Sequence, residues 1–524
     1  MQEQQRLNKV LLINPSSKVH ILPNGTPAHR KHCTPPLGLA YLAANLLAHN
    51  YEVSVIDAVA EGYDNEWHIE PYIHYGLSDD DILARLEEFA PDVVGISVLF
   101  STAIREAHAL CDRIKALRPD LPIVLGGQHP TGAPVRVMDN QNVDFVLLGE
   151  ADITLIDLMS ALNGERALES VTALYYRDGN EVVTTMANVK PVVQGDGWNY
   201  YNRKDAGIPT DLDGLPLPAW HVLPMEAYWT THVRIGGGDA QRDRYAVMMS
   251  TRGCPHACYF CTSPLQSGFK GYRRRSNENV IAEIRWLRDE YGVQEIEFLD
   301  DNFYVSKPRV KKLLKEIAKE FPDMTFGVPA GTDVNALDED VIDLMAEANF
   351  YKALLAIEAG DPELQSALID KKVDLHRVPE VVAYLKSKGI ETRALFMIGF
   401  PEETRDQIAS TVKMARELDI DDFYISLVTP LPGTPLFDEC AAKGILVEGF
   451  DVDNIRFSHA SITLPDTSGE ELETIRRVVW QENFEENRRR MGDRLKDDRA
   501  SRIQNIKEYE HLGFRTLGQH AANV

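Results

Sequence analysis

Cysteine is scarce in this chain of 524 residues: there are six. A secreted disulfide framework would spread more of them evenly, so a reduced compartment is expected. Positive charge is outweighed as well. Lys and Arg number 55 against 80 Asp and Glu, a net charge of −25, which argues against a nucleic-acid partner. No apolar run approaches the roughly 20 residues that a membrane-spanning helix needs. The opening, MQEQQRLNKVLLINP, lacks the basic-then-apolar order of a signal peptide. Internal repeats and long low-complexity segments are missing too. These absences predict a cytoplasmic protein with no membrane partner. With 44% hydrophobic and 26% charged residues, the chain should fold into two or three globular domains.

What is present is alternation. KVLLIN, YEVSVID, DVVGIS, PIVLGG and VDFVLLG read as strands, separated by the helical patterns LGLAYLAANLLAHN, DDILARLEEFA and AIREAHALCDRIKALR. Strand–helix alternation predicts an α/β, doubly wound Rossmann-like domain over residues 1–163, with ligands at the carboxyl ends of its strands. Residues 164–244 break the rhythm and read as a linker. LYYRDGNEVVT looks like a hairpin turning at Asp178-Gly179, and DLDGLPLPAWHVLP is rich in Pro and Gly. RIGGGDAQ has three glycines but lacks the lysine and spacing of a phosphate loop.

From Tyr245 the alternation resumes. YAVMMST, VQEIEFLD, MTFGVPAG, YKALLAIEAG, ETRALFMIG and DFYISLV read as strands, and a helical pattern follows each of the first five. Six β/α units over residues 245–445 predict a partial, open barrel rather than a closed eight-fold one. Residues 446–524 read as a charged helical tail with a solvated face.

Three of the six cysteines, Cys254, Cys258 and Cys261, crowd into TRGCPHACYFCTSP, while Cys33, Cys111 and Cys440 are scattered. Thiolates prefer soft metals, so zinc and iron–sulfur clusters are the contenders. Structural zinc wants four ligands, commonly from two separated CxxC pairs. His256 lies inside the first loop, too cramped to close a tetrahedron. A 4Fe–4S cube held by three thiolates leaves one iron open to a small molecule.

This CxxxCxxC after a first barrel strand, with Phe260 before the third cysteine, resembles the radical S-adenosylmethionine (SAM) superfamily. The resemblance implies a 4Fe–4S cluster whose open iron chelates SAM, and an electron that cleaves SAM to a hydrogen-abstracting radical. It also implies an external one-electron reductant of the flavodoxin or ferredoxin type. SAM would be met by Asp300, Asp301 and Asn302 in FLDDNF, by Glu358 in AIEAG, and by backbone from Met397 to Gly399 in FMIGFPEET.

In the front domain, Ser97-Val98-Leu99 and Gly126-Gly127 resemble the Ser-x-Leu and Gly-Gly motifs of cobalamin-binding domains. His129 stands beside these glycines and is grouped with them, as a loop-stabilising residue. The family's Asp-x-His-x-x-Gly motif has no counterpart in NPSSKVHILPNG. The whole resembles the cobalamin-dependent (class B) branch of the radical SAM superfamily, where that lower histidine is commonly missing. The resemblance implies a C-methyltransferase acting on an unactivated carbon of a small-molecule substrate. The alternatives are a cobalamin-dependent rearrangement or cyclisation enzyme, and a non-catalytic metal-binding module. Arg273, Arg274 and Arg275 follow the knot and suggest an anion site, hence a phosphonate or nucleotide conjugate.

Overall fold

The computed structural model describes residues 6–21, 31–186, 207–231, 241–264 and 271–491, with positions 27 and 233 in isolation. Residues 234–240 of RIGGGDAQ and 492–524 of the tail lie outside them.

The first sheet contains β1 (Lys9–Asn14), β2 (Glu52–Asp57), β3 (Val93–Ser97), β4 (Ile123–Gly126), β5 (Phe145–Leu147), β6 (Leu174–Asp178) and β7 (Glu181–Thr184), in the order β7-β6-β5-β4-β3-β1-β2. Strands β1 to β5 are parallel. The chain runs from β1 outward to β2, then crosses to β3 on the other side of β1, which leaves a switch point between β1 and β3. In β1, Val10 and Leu12 face one core while Leu11 and Ile13 face the other. Period-two alternation with both faces covered explains why KVLLIN is apolar nearly throughout. Helices α1 (Leu37–Ala48) and α4 (Thr154–Leu162) cover one face, and α2 (Asp79–Phe89) and α3 (Ile104–Leu117) the other.

The hairpin assigned to the linker is a hairpin, but it belongs to the first sheet. β6 pairs antiparallel with β5, and β7 with β6. The sheet therefore continues past residue 163, because the short β5 left an edge to be paired. A second sheet of Ser17–His20, Tyr72–Tyr75 and Glu66–Ile69 was not anticipated; strands of four residues show too little alternation to be read.

The second half contains β8 (Tyr245–Met248), β9 (Glu295–Phe298), β10 (Thr325–Thr332), β11 (Phe350–Glu358), β12 (Glu391–Ile398) and β13 (Asp422–Leu427), all parallel and in sequential order. Helices α5 (Asn277–Tyr291), α6 (Lys307–Glu320), α7 (Glu339–Glu347), α8 (Val378–Ser387) and α9 (Arg405–Glu417) follow the first five strands. β8 and β13 do not pair, so the barrel is open. Beyond α10 (Pro435–Lys443), helix α11 (Gly469–Met491) covers the β13 side, burying Leu472 and Val479. There Asn483 donates to Asp422 Oδ1 at 2.9 Å, and Leu427 N to Phe457 O at 2.8 Å. Its described charged positions do not form the expected solvated face: Glu471, Glu473 and Glu482 are half-buried, and Glu471 and Glu482 pair with Arg405 and Arg416 of α9.

The linker is a wedge between the halves. Trp220, Tyr228 and Trp229 are buried; Tyr228 Oη donates to Asp57 Oδ2 at 2.7 Å and Trp229 Nε1 to Tyr245 O at 2.8 Å.

The arginine run is not an anion site. Residues 251–252 pair antiparallel with 273–274, so alternate side chains face opposite ways. Arg273 turns in to Glu150, and Arg275 to Glu283 at 2.5 Å, Met249 O at 2.9 Å and Asn279 Oδ1 at 2.5 Å. Only Arg274 is exposed. Replacing Glu283 by Ala should strand the buried Arg275 and cost about 3–5 kcal/mol in denaturant unfolding. Arg274→Ala should stay within about 0.5 kcal/mol of the parent.

Candidate active site

The cysteine loop leaves β8 through Ser250 and Thr251. Asp300 accepts from Ser250 N at 3.0 Å, Ser250 Oγ at 2.7 Å and Thr251 Oγ1 at 2.5 Å. It is fully buried, and both its oxygens are spent on the strand exit. Its assignment to SAM is therefore corrected: Asp300 shapes the root of the loop. Asp301 accepts from Gly253 N at 3.0 Å and from the Ser263 side chain, joining the two ends of the loop. In the middle, Ala257 N donates to Asp370 Oδ2 at 3.0 Å, and Cys261 N to Cys258 O at 3.0 Å. The His256 ring lies 3.7 Å from Asp333 and 3.9 Å from Asp370.

The three thiols are near enough to perturb one another's ionisation. Among the described residues, however, no three His, Cys, Asp or Glu groups converge on a single metal ion. Three thiolates fall one short of the four ligands that structural zinc takes, whereas a 4Fe–4S cube held by three leaves one iron open.

Other strand ends surround it. Asn302 is buried against Cys254, and its Oδ1 has no partner. Glu358 ends β11 at a bulge with φ of 70°, strained for a residue with a Cβ. Its carboxylate meets Lys371 Nζ at 2.7 Å, and Lys371 in turn lies beside Cys258. Phe260 packs edge-on against Phe400 with ring centroids 5.9 Å apart. Met397, the last residue but one of β12, is partly buried, and Gly399 follows the strand with φ of 93°. Gly399 N and Phe400 N both donate to Glu403 Oε2, at 2.5 and 2.9 Å. Glu403 is buried, its Oε1 has no partner, and burial pushes its carboxyl up to about 7. Lys371, Asp370 and Glu403 were not singled out in the sequence; only the neighbouring GFP turn signalled the last.

Across the junction, Ser97 and Gly126 sit opposite each other at the carboxyl ends of β3 and β4, beside the switch point. Gly127 has φ of 113°, and a Cβ there would lie 2.7 Å from Val98 O, so the backbone can pass only as glycine. His129 is buried, and its Nδ1 bonds Ser101 Oγ at 2.9 Å. Burial pushes its imidazole down to about 4, so it is neutral, and Nε2 has no partner. Leu99 and Phe100 are 50% and 62% exposed at this sheet end. An apolar lip, a glycine backbone and an unpartnered imidazole nitrogen suit a large cofactor such as cobalamin. The unpartnered Asn302 Oδ1 beside three thiols suits SAM on a cluster.

The two sheet ends touch. The Gln128 side chain bonds Thr262, next to Cys261, and a Cβ on Gly132 would lie 2.4 Å from Pro432 O.

Glu403 carries a pH signature. Its folded pKa is raised, so stability is fullest below the unfolded value near 4.5 and falls as pH rises through about 7. Glu403→Gln keeps a neutral acceptor for both amides. It should remove a pH-dependent loss on the order of 3 kcal/mol between those limits, read from denaturant midpoints.

The B12 binding domain family matches residues 25–159, and the radical SAM superfamily residues 248–415. Over 494 residues the chain is 32% identical to cytidylyl-2-hydroxyethylphosphonate methyltransferase of Streptomyces wedmorensis, covering 90% of this chain and 89% of that protein. Over 429 residues it is 26% identical to the anaerobic magnesium-protoporphyrin IX monomethyl ester cyclase of Rubrivivax gelatinosus, covering 81% and 69%. The fold matches the radical SAM methyltransferase TsrM of Kitasatospora setae, solved with cobalamin and a 4Fe–4S cluster, at a TM-score of 0.64 with 20% identity, covering 83% and 78%. With both domains in this order and a relative matched almost end to end, the chain belongs to the cobalamin-dependent radical SAM methyltransferase family, enzymes that work with a 4Fe–4S cluster, SAM and cobalamin.

Proposed function

We propose that this enzyme methylates an unactivated carbon of a small polar metabolite, a phosphonate or nucleotide conjugate. The observation that carries the reading is the 32% identity, over 90% of this chain, to a methyltransferase whose named substrate is a cytidylyl phosphonate. The contact between the two sheet ends supports it, because a substrate between them would meet both cofactors. The arginine run no longer argues for an anion, so that part rests on the relative.

In this reading Cys254, Cys258 and Cys261 hold the cluster. Phe260, Asp301, Asn302, Glu358 and the Met397–Gly399 backbone line the SAM site. Ser97, Leu99, Gly126 and Gly127 seat cobalamin, and His129, pinned to Ser101, shapes their loop. When bound, the cluster with SAM supplies hydrogen abstraction and cobalamin supplies the methyl group. One SAM leaves as methionine and 5′-deoxyadenosine, a second as S-adenosylhomocysteine. Two single electrons are consumed per turnover, so a flavodoxin- or ferredoxin-type donor is required. The protein's part is placement, since hydrogen abstraction needs near-contact geometry. The cyclase relative supports a second reading, ring closure with no methyl gained.

Incubated anaerobically with cytidylyl-2-hydroxyethylphosphonate, SAM and reductant, the enzyme should yield a product heavier by one CH2. One 5′-deoxyadenosine and one S-adenosylhomocysteine should accompany each product. 5′-Deoxyadenosine from a panel of such conjugates with no mass gain would sink the methylation reading. Replacing Cys254, Cys258 and Cys261 together by Ala should reduce bound iron from about four per chain to near zero. Cobalamin binding should persist, counted as cobalt.

A further inference from the structure

A buried group of charges lies on the boundary between the two halves. Arg252 leaves the barrel two residues before Cys254 and is enclosed by the first half. Its Nη1 and Nη2 reach Asp152 Oδ2 and Oδ1 at 2.7 and 3.2 Å, a forked pair, and Nη1 also meets Glu150 Oε2 at 3.0 Å. The Tyr41 ring of α1 stacks over the guanidinium at 4.5 Å. Glu150 is held from its other side by Arg273 Nη1 at 2.8 Å. Glu150 and Asp152 follow β5, and their loop is tied to the cobalamin glycines. Gly149 N donates to Thr131 Oγ1 at 2.8 Å, and Thr131 Oγ1 to Gly127 O at 2.7 Å. A connected path of bonds thus runs from Gly127 to the residue preceding Gly253-Cys254.

We propose that Arg252, gripped by Asp152 and Glu150, is a positioning residue that sets the separation and tilt of the cluster-bearing loop against the cobalamin face. Cohesion between the halves does not need it: one apolar core already spans them, and a buried ion pair adds little net stability over apolar residues of similar volume. What a bidentate fork adds is direction. An apolar interface tolerates sliding, whereas a planar guanidinium against a carboxylate fixes both distance and angle. Chemistry shared between two cofactors is sensitive to that, since a misplacement of about 1 Å can cost on the order of 100-fold in rate. The proposal needs only the two cofactors, so it stands or falls apart from the choice of substrate or of methylation.

The full chain, loaded with cluster and cobalamin and without substrate, tests it. With both groups in their paramagnetic one-electron-reduced states, pulsed EPR reads the cobalt-to-cluster distance distribution. The parent should show one narrow separation. Arg252→Lys keeps the charge but loses the planar fork, and should keep iron and cobalt content while broadening the distribution by about twofold or more. Asp152→Asn should broaden it too, and Arg274→Lys, exposed on the strand paired with Arg252's own, should not. A parental distribution in Arg252→Lys with both cofactors bound would overturn the proposal. So would loss of either cofactor in that variant, because Arg252 would then maintain the fold rather than the geometry. A failed methylation assay would appear in product mass and leave this measurement untouched.

Discussion

A single apolar core runs from the α1 and α4 face of the first sheet, through the linker's Trp220, Tyr228 and Trp229, into the barrel. Everything else about the molecule depends on that continuity. Two separately folded domains joined by a flexible linker would leave their strand ends at no particular angle. Here the linker is a buried wedge, and its polar tips are tied on both sides, Tyr228 to Asp57 and Trp229 to Tyr245. The carboxyl ends of two parallel sheets, where such folds gather ligands, are therefore brought face to face. Apolar burial supplies the cohesion; the buried charges around Arg252 and Arg275 supply the register.

The site itself carries strain and unsatisfied polarity, as functional sites do. Glu358 sits at a positive φ at the end of β11, and Gly127 occupies a conformation and a space that exclude any side chain. Asn302 Oδ1, Glu403 Oε1 and His129 Nε2 are buried without protein partners. At the exit of β8 the pairs leave nothing over, since Asp300 takes up both Ser250 and Thr251. The contrast between adjacent aspartates is instructive. Asp300 is sealed inside, while Asp301 bridges the ends of the cysteine loop yet stays accessible.

Much of this was legible in the chain. The strand–helix alternation expresses a local requirement that the structure meets where it was read, and Gly127 occupies a backbone position with no room for a Cβ. The arginine run shows where such reading stops. Three adjacent cations look like one surface, but a short antiparallel pairing with residues 251–252 sends Arg273 and Arg275 inward and Arg274 outward. The hairpin turning at Gly179 was equally plain, yet its place as the edge of the first sheet depends on β5 being too short to cover itself.

The sequence by itself determined the strand–helix alternation of both halves, the spacing of the three cysteines and a position where only glycine fits, because each follows from periodicity, spacing or backbone sterics within a few residues. Tertiary structure alone decided which charges meet. Glu150 and Arg252, 102 positions apart, are brought together only when distant segments close on one core. A buried charge is tolerable only beside its partner, and no local pattern names a partner some hundred residues away.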